Sequence, residues 1–298
     1  MTWIQSVVIA IVEGITEFLP VSSTAHIKFV KAIMQMDPKE PFGNMFDIVI
    51  QFAAILAVVI LYWKKFVNFK EVSFYIKLVI AVIPALIFGA LLKKHIEHIL
   101  GDIKIIACVT VAGGIVLLFV DNWFKKPVVH QEEDITYPQS FKIGCFQVLS
   151  ILFPGLSRSA STIIGGLATR LDRKVAAEFS FFLAIPTMAA ATLKELHDTY
   201  KETPEVFHSS NIDILLVGCG ISFIISLLVV KSFITYIQRH TFRLFGVYRI
   251  IAGSAVLVMI YMGVIKKNEE TPAAAKKEAS ANIAPKGIAQ TSTKAFMK

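Results

Sequence analysis

The order of apolar and polar residues divides this chain into long hydrocarbon-compatible runs separated by short charged loops. Six runs, over residues 45–63, 74–92, 103–120, 176–193, 212–230 and 247–265, each come close to the roughly 20 residues a helix needs to cross a bilayer. Two further apolar stretches, 4–30 and 143–167, are broken near their middles, the first by Pro20 and the second by Pro154-Gly155. Irregular backbone at membrane depth is tolerated only where protein or a watery cavity satisfies its polar groups. The pattern therefore predicts an all-α polytopic membrane protein with about six transmembrane helices and two re-entrant helix-loop-helix hairpins whose loops face each other.

The two broken stretches share a plan. Glu13 lies seven positions before Pro20, and Gln147 lies seven before Pro154. Hydroxyl-rich sequence follows each proline, Ser22-Ser23-Thr24 in one copy and Ser157-Arg158-Ser159 in the other. Downstream, Phe46-Asp47-Ile48-Val49-Ile50 follows Pro20 at nearly the distance at which Phe179-Ser180-Phe181-Phe182-Leu183 follows Pro154. This reads as a duplication, repeat one about 1–120 and repeat two about 143–265, together forming one membrane domain over 1–265. Matching interrupted segments in two halves point to a transporter-like fold with its site between them. If 64–73, 121–142, 170–174 and 231–246 are cytoplasmic they carry twelve Lys and Arg, against six in 31–44, 93–102 and 194–211. That topology sends the first hairpin in from outside and the second from the cytoplasm, so the repeats are inverted. It also sets Trp63 and Trp123 near the interfaces, where indole rings prefer to sit.

Composition agrees and adds exclusions. At 55% hydrophobic and 17% charged residues, with a mean hydropathy of +0.65, the chain is too apolar for an ordinary soluble domain. Much of the +8 net charge falls in the loops and the 266–298 segment, where attraction to anionic headgroups explains it without nucleic acid. Residues 266–298 are Lys-, Glu-, Ala-, Ser- and Thr-rich without periodicity and read as a disordered polar tail. The first apolar run lacks a basic start and contains Glu13 and Glu17, so it reads as part of the fold and not as a cleavable signal. Cys108, Cys145 and Cys219 sit in apolar segments without ligand spacing and read as packed thiols.

The candidate chemistry lies in the breaks. Glu13 and Glu17 are one helical turn apart and project from one face, as a divalent-cation site or an acid/base pair requires. Acids within a span are costly and mark function; the competing reading is capping or snorkelling at the interface. Ser22, Ser23 and Thr24 stand where a second half-helix begins, where one hydroxyl caps and free amides form an anion site. His26, three residues past Ser23, is placed to serve as base or acid, although a lone histidine is commonly a structural hydrogen-bonder. Arg158, flanked by Ser157 and Ser159, is the strongest cue for phosphate, since a guanidinium in an apolar segment needs an anion and matches phosphate bidentately. An ion pair with Glu13 or Glu17 would satisfy it too. Gln147, Gly155, Ser161 and Thr162 complete the second cluster, Thr162 with the option of bonding back to its own helix. Asp47, Gln51, Glu178 and Arg249 are expected at the margin of the site or at interfaces, and His95, His98, Arg239 and Arg243 in solvated loops.

These residues resemble the bacterial undecaprenyl-diphosphate phosphatases, also called bacitracin-resistance proteins, over essentially the whole chain up to the tail. The resemblance is carried by Glu13-Gly14-Ile15-Thr16-Glu17 running into Phe18-Leu19-Pro20-Val21-Ser22-Ser23-Thr24-Ala25-His26. Its second half is Pro154-Gly155-Leu156-Ser157-Arg158-Ser159-Ala160-Ser161-Thr162. Ala25 and Ala160 stand where the family more often has glycine, and Leu156 where a smaller or polar residue is common. The resemblance implies a plasma-membrane enzyme that removes the terminal phosphate of undecaprenyl diphosphate on the outer side. It would use a divalent cation, Mg2+ or Ca2+, and recycle the lipid carrier of peptidoglycan synthesis. Under it Glu17, Ser23, His26 and Arg158 are catalytic, and Glu13 and Glu17 hold the metal. Ser22, Thr24, Gln147, Gly155, Ser157, Ser159 and Thr162 bind substrate. Ser23 attacks phosphorus with His26 or Glu17 as base, or one of those two activates water while Ser23 binds phosphate. Membrane lipids are the expected surroundings, nucleic acid is not a partner, and a homodimer is left open. A polyprenyl-phosphate flippase, acting alone or beside hydrolysis, is the alternative from a different class. The pattern of the soluble-like acid phosphatases found in membranes is absent.

Overall fold

The computed structural model describes residues 1–265 apart from 39, 69, 70 and 93–101, and excludes the side chains of 209 and 210. The polar tail and the expected loop residues His95 and His98 lie outside the described residues. In chain order the helices are α1 (Trp3–Thr16), α2 (Ser23–Ile33), α3 (Pro41–Leu61), α4 (Trp63–Val67), α5 (Val72–Leu91), α6 (Ile103–Trp123), α7 (Tyr137–Leu152), α8 (Arg158–Ala168), α9 (Arg173–Glu202), α10 (Ser209–Ile237) and α11 (Arg243–Tyr261). Among the described residues the only β pairing is one bridge between Val129 and Leu171. Helices α3, α5, α6, α9, α10 and α11 are long and apolar enough to cross a membrane, matching the six predicted spans.

Local sequence explains most boundaries. Pro41 opens α3 four residues before the predicted run, because a proline in the first turn forfeits no helical hydrogen bond. Asp172 caps α9 by accepting from the Val175 amide, and the helix runs on to Glu202, past the predicted end at 193. Its last turns are polar, so hydropathy could not register them. Helix α11 lies four residues earlier than expected and stops before Gly263, whose φ of +74° turns the chain. Trp63 and Trp123 are exposed at helix ends, as interfacial indoles should be. The outward faces of the spans carry Val79, Leu86, Leu91, Leu216, Leu228 and Ile251, a surface suited to hydrocarbon. Cys108 and Cys145 share that exposed surface and are not the packed thiols the sequence suggested; Cys219 is half-buried.

The two halves begin alike. Thr2 and Gln5 form a reciprocal capping box at α1, and Thr136 and Gln139 form the same box at α7. They also pack by exchange: α1 lies against α10 of the second half, while α7 lies against α5 of the first. The α5–α7 contact is close enough to require Gly144, where an added Cβ would stand 2.2 Å from the carbonyl oxygen of Ala81. Helix α6 packs along α11, and α3 along α9. The broken pairs α1–α2 and α7–α8 are therefore held by spans from both halves.

Candidate functional site

Each broken pair turns at its proline and restarts on a strained serine. Helix α1 ends at Thr16 and is capped by Glu17, whose amide still bonds the Glu13 carbonyl at 2.9 Å, and the chain then turns through Pro20. Ser22 and Ser157 have φ of 74° and 81°, the left-handed region that normally favours glycine, and Gly155 has φ of 100°. The serines are used there because their hydroxyls cap the next helices, accepting from the amides of Ala25 at 3.4 Å and Ala160 at 3.2 Å.

The two turns meet. Ser159 donates its hydroxyl to the Leu19 carbonyl at 2.8 Å, and Arg158 Nη2 reaches Glu17 Oε1 at 2.9 Å. Beside this junction is a cavity of about 290 Å³. Its wall takes Glu17, Ser22, Ser23 and Thr24 from the first break, Gln147, Gly155, Ser157 and Arg158 from the second, and Gln51 and Gly89 from α3 and α5. A hollow of about 390 Å³ between the start of α7 and the end of α8, edged by Lys142 and Arg170, contains none of this acid–hydroxyl chemistry.

Glu17 is the hub. Ser23 donates its hydroxyl proton to Glu17 Oε2 at 2.5 Å, and Gln51 Nε2 donates to the same oxygen at 3.2 Å. Arg158 occupies the other oxygen and steadies itself on the Ser180 carbonyl at 3.1 Å. A serine oxygen whose proton already points at a carboxylate has its lone pairs turned outward, the arrangement an oxygen nucleophile needs. Around it stand buried polar atoms without hydrogen-bond partners: both oxygens of Glu13, Oε1 of Gln147 and Nε of Arg158. Leaving such groups unpaired costs about 1–3 kcal/mol each, so their concentration here marks a place built for a ligand.

Other expected residues lie elsewhere. His26 does not line the cavity. Its Nδ1 donates to the Ser22 carbonyl at 2.8 Å, so in the neutral ring Nε2 accepts from the Tyr248 hydroxyl at 2.8 Å, and the two rings stack with centroids 5.5 Å apart. The Ser23 proton therefore goes to Glu17 and not to His26. Thr162 bonds back to the Arg158 carbonyl at 3.0 Å and meets the Ser180 hydroxyl at 2.6 Å, behind the cavity. Ser161 likewise back-bonds, to the Ser157 carbonyl, and the Ser159 hydroxyl is spent on the junction. Asp47 pairs with Lys31 at 2.6 Å, and Glu178 accepts from the Tyr62 hydroxyl at 3.1 Å. Arg239 and Arg243 are exposed.

Sequence reasoning set Arg249 at the margin, and the structure buries it completely at the centre. Its guanidinium donates to the carbonyls of Thr110, Pro20, Gly155 and Leu156, taking hold of both turns. Its neighbour Tyr248 meets His26 at 2.8 Å. The available signal was an arginine within an apolar run, although near the start of the predicted span over 247–265; the helix begins at Arg243 and so carries it further in.

Residues 6–255 match the family described as "Bacitracin resistance protein BacA", a match that takes in both broken pairs and most of the spans. A Flavobacterium johnsoniae protein named undecaprenyl-diphosphatase is 45% identical over 260 residues, covering 87% of this chain and 96% of its own length. Proteins of the same name from Porphyromonas gingivalis and Bdellovibrio bacteriovorus are 43% and 41% identical, over 89% and 88% of this chain and 99% and 98% of theirs. With its helical plan, both breaks and nearly its whole described length matched, this chain belongs to the bacitracin resistance protein BacA family.

Proposed function

We propose that this protein hydrolyses undecaprenyl diphosphate to undecaprenyl phosphate and inorganic phosphate. The observation that carries this reading is the Ser23–Glu17–Arg158 constellation, an activated hydroxyl, its base and a cation, contributed by two different breaks to one cavity. The names of the relatives support the same substrate and reaction. Transport alone would call for a cation and helix N-termini but would leave the Ser23–Glu17 hydrogen bond without a task.

In the mechanism we favour, Ser23 Oγ attacks the terminal phosphorus and passes its proton to Glu17. The bond from phosphorus to the bridging oxygen breaks, Glu17 gives that proton to the departing oxygen, and undecaprenyl phosphate leaves with Glu17 ionised again. Water then attacks the phosphoserine with Glu17 as base, which releases inorganic phosphate and restores the hydroxyl. Arg158, with a free Nε–H, is suited to the non-bridging oxygens whose charge grows in the transition state. His26 acts by holding the Ser22 turn and not by moving a proton. Glu13 and Glu17 fit a hard divalent cation, Mg2+ or Ca2+, because their buried carboxylates include two oxygens with no protein partner. Such an ion, when bound, supplies neutralisation of the diphosphate charge.

The membrane arrangement belongs to the same proposal. We read α1–α2 and α7–α8 as re-entrant hairpins of two inverted repeats. Three spans, α3, α5 and α6, separate them, and an odd number of crossings makes the hairpins enter from opposite faces. The Lys and Arg bias supports a first hairpin that enters from outside the bacterial plasma membrane, and on this reading the headgroup site opens outward with the isoprenoid among the spans.

Purified protein in detergent, given undecaprenyl diphosphate with Mg2+ or with chelator, tests this directly. Release of inorganic phosphate with matching undecaprenyl phosphate, abolished by chelator and restored by the cation, is expected. No release from folded protein overturns the reading.

A further inference from the structure

We propose that Arg249 is a positioning residue that holds the two half-sites in register. The inference rests on the hydrolysis reading, because the register that matters is that of Ser23 and Glu17 from one turn against Arg158 from the other. Four observations converge on it.

The first is what the guanidinium touches. Nη1 donates to the carbonyls of Pro20 at 3.1 Å and Leu156 at 2.7 Å, Nη2 to Gly155 at 2.8 Å, and Nε to Thr110 at 3.1 Å. All three nitrogens are engaged, and every one of these partners is a backbone carbonyl. One rigid fork thus spans the first turn, the second turn and α6.

The second is which carbonyls these are. Pro20 lies two residues before Ser22, Gly155 lies two before Ser157, and Leu156 immediately precedes Ser157. Ser22 and Ser157 are the two serines held at positive φ. A non-glycine residue persists in such a conformation only where its surroundings over-determine it. Fixing the carbonyl just upstream of each serine is how Arg249 does so on both sides at once.

The third is that the fold makes room for this charge at a cost. Arg249 is 0% exposed and lies in a span, where an apolar side chain would pack without loss of hydration. Helix α6 opposes it with Gly113, where an added Cβ would stand 2.3 Å from Nη2 and 2.9 Å from Cζ. The slot is shaped to the guanidinium.

The fourth is its neighbour. Tyr248 donates to His26 on α2, so α11 grips the first half-site through two consecutive residues. No atom of Arg249 lines the cavity, which separates its role from that of Arg158.

A residue that sets register without touching substrate is expected to change turnover more than binding. The test uses purified full-length protein and undecaprenyl diphosphate with Mg2+, with kcat and KM measured separately. R249M is expected to lower kcat about a hundredfold, the scale of a misplacement of about 1 Å, while KM stays within about threefold. G113A leaves the arginine in place and drives the fork from its slot, so the same split is expected. R249K keeps a charge that can reach some of the carbonyls and should recover part of kcat, with an unchanged pH profile. G220A, whose Cβ would meet nothing within 4 Å, is the control that should match the wild type.

If R249M fails to purify as a folded species, G113A and R249K carry the decision. Folded R249M and G113A with kcat within about twofold of wild type, or with KM raised and kcat intact, overturn the inference. Failure of the wild type itself to release phosphate refutes the hydrolysis reading instead, so the two failures are distinguishable.

Discussion

Replacing Glu17 by glutamine keeps the size of the side chain and removes the group proposed as base. In the native protein one oxygen of Glu17 accepts from Ser23 at 2.5 Å and from Gln51 at 3.2 Å, while the other meets Arg158 at 2.9 Å. The amide keeps one acceptor oxygen, so it can still accept from Arg158, but its NH2 then faces Ser23 and Gln51 and cannot take the serine proton. Loss of a positioned general base costs about 10²–10⁴ in rate, or roughly 3–5 kcal/mol at about 1.4 kcal/mol per decade. Stability changes as well. The Arg158–Glu17 pair has side chains 10% and 3% exposed, and at 2.9 Å with an effective dielectric of about 20 its attraction is about 6 kcal/mol. Glutamine leaves the Arg158 charge buried without its counter-ion, and removing one partner of such a pair costs about 3–5 kcal/mol. Because Glu17 is also proposed to share the cation with Glu13, the variant is assayed at saturating Mg2+, so that a weakened cation site is not read as loss of the base. The assay is inorganic phosphate release over a range of substrate concentrations, normalised to folded protein, beside a thermal unfolding curve. E17Q turning over within about tenfold of wild type would refute Glu17 as base.

Ser23→Ala removes one of three donors to Glu17 and should shift unfolding by no more than about 1 kcal/mol while reducing kcat to below about 1%. Near-native turnover by that variant would transfer the nucleophile's role to water. Gly144→Ala drives a methyl group to 2.2 Å from the Ala81 carbonyl oxygen, so α5 and α7 must separate. A destabilisation of about 1–3 kcal/mol is expected in detergent unfolding, with the cation requirement of the remaining activity unchanged.

The spans were legible because hydrophobic length is a one-dimensional property, and all six runs correspond to membrane-length helices. Their ends were less so. The polar turns of α9 from 194 to 202 and the early start of α3 at Pro41 are set by hydrogen bonding and capping, which hydropathy does not measure. The breaks were legible because Pro20 and Pro154-Gly155 interrupt apolar sequence beside hydroxyls and charges. The partners inside the site were not. Ser23 with Glu17 and Arg158 with Glu17 could be suspected from residue type, but the pairing of His26 with Tyr248 spans 222 positions and that of Arg249 with Pro20 spans 229. Contacts of that range arise from the exchange of helices between halves, and nothing in the local pattern encodes them. His26 illustrates the consequence. Its proximity to Ser23 in sequence suggested a base, yet helical geometry and Tyr248 turn its two nitrogens to other work.

If both breaks build one site, the second half supplies part of the chemistry begun in the first. The most direct measurement is inorganic phosphate release from undecaprenyl diphosphate by folded Arg158→Ala protein beside the wild type, in the presence of Mg2+. Wild-type release with a loss of about a hundredfold or more in the variant is the predicted result, since Arg158 is the cation that reaches across to Glu17. Equal rates for the two proteins would contradict a single site built from both breaks.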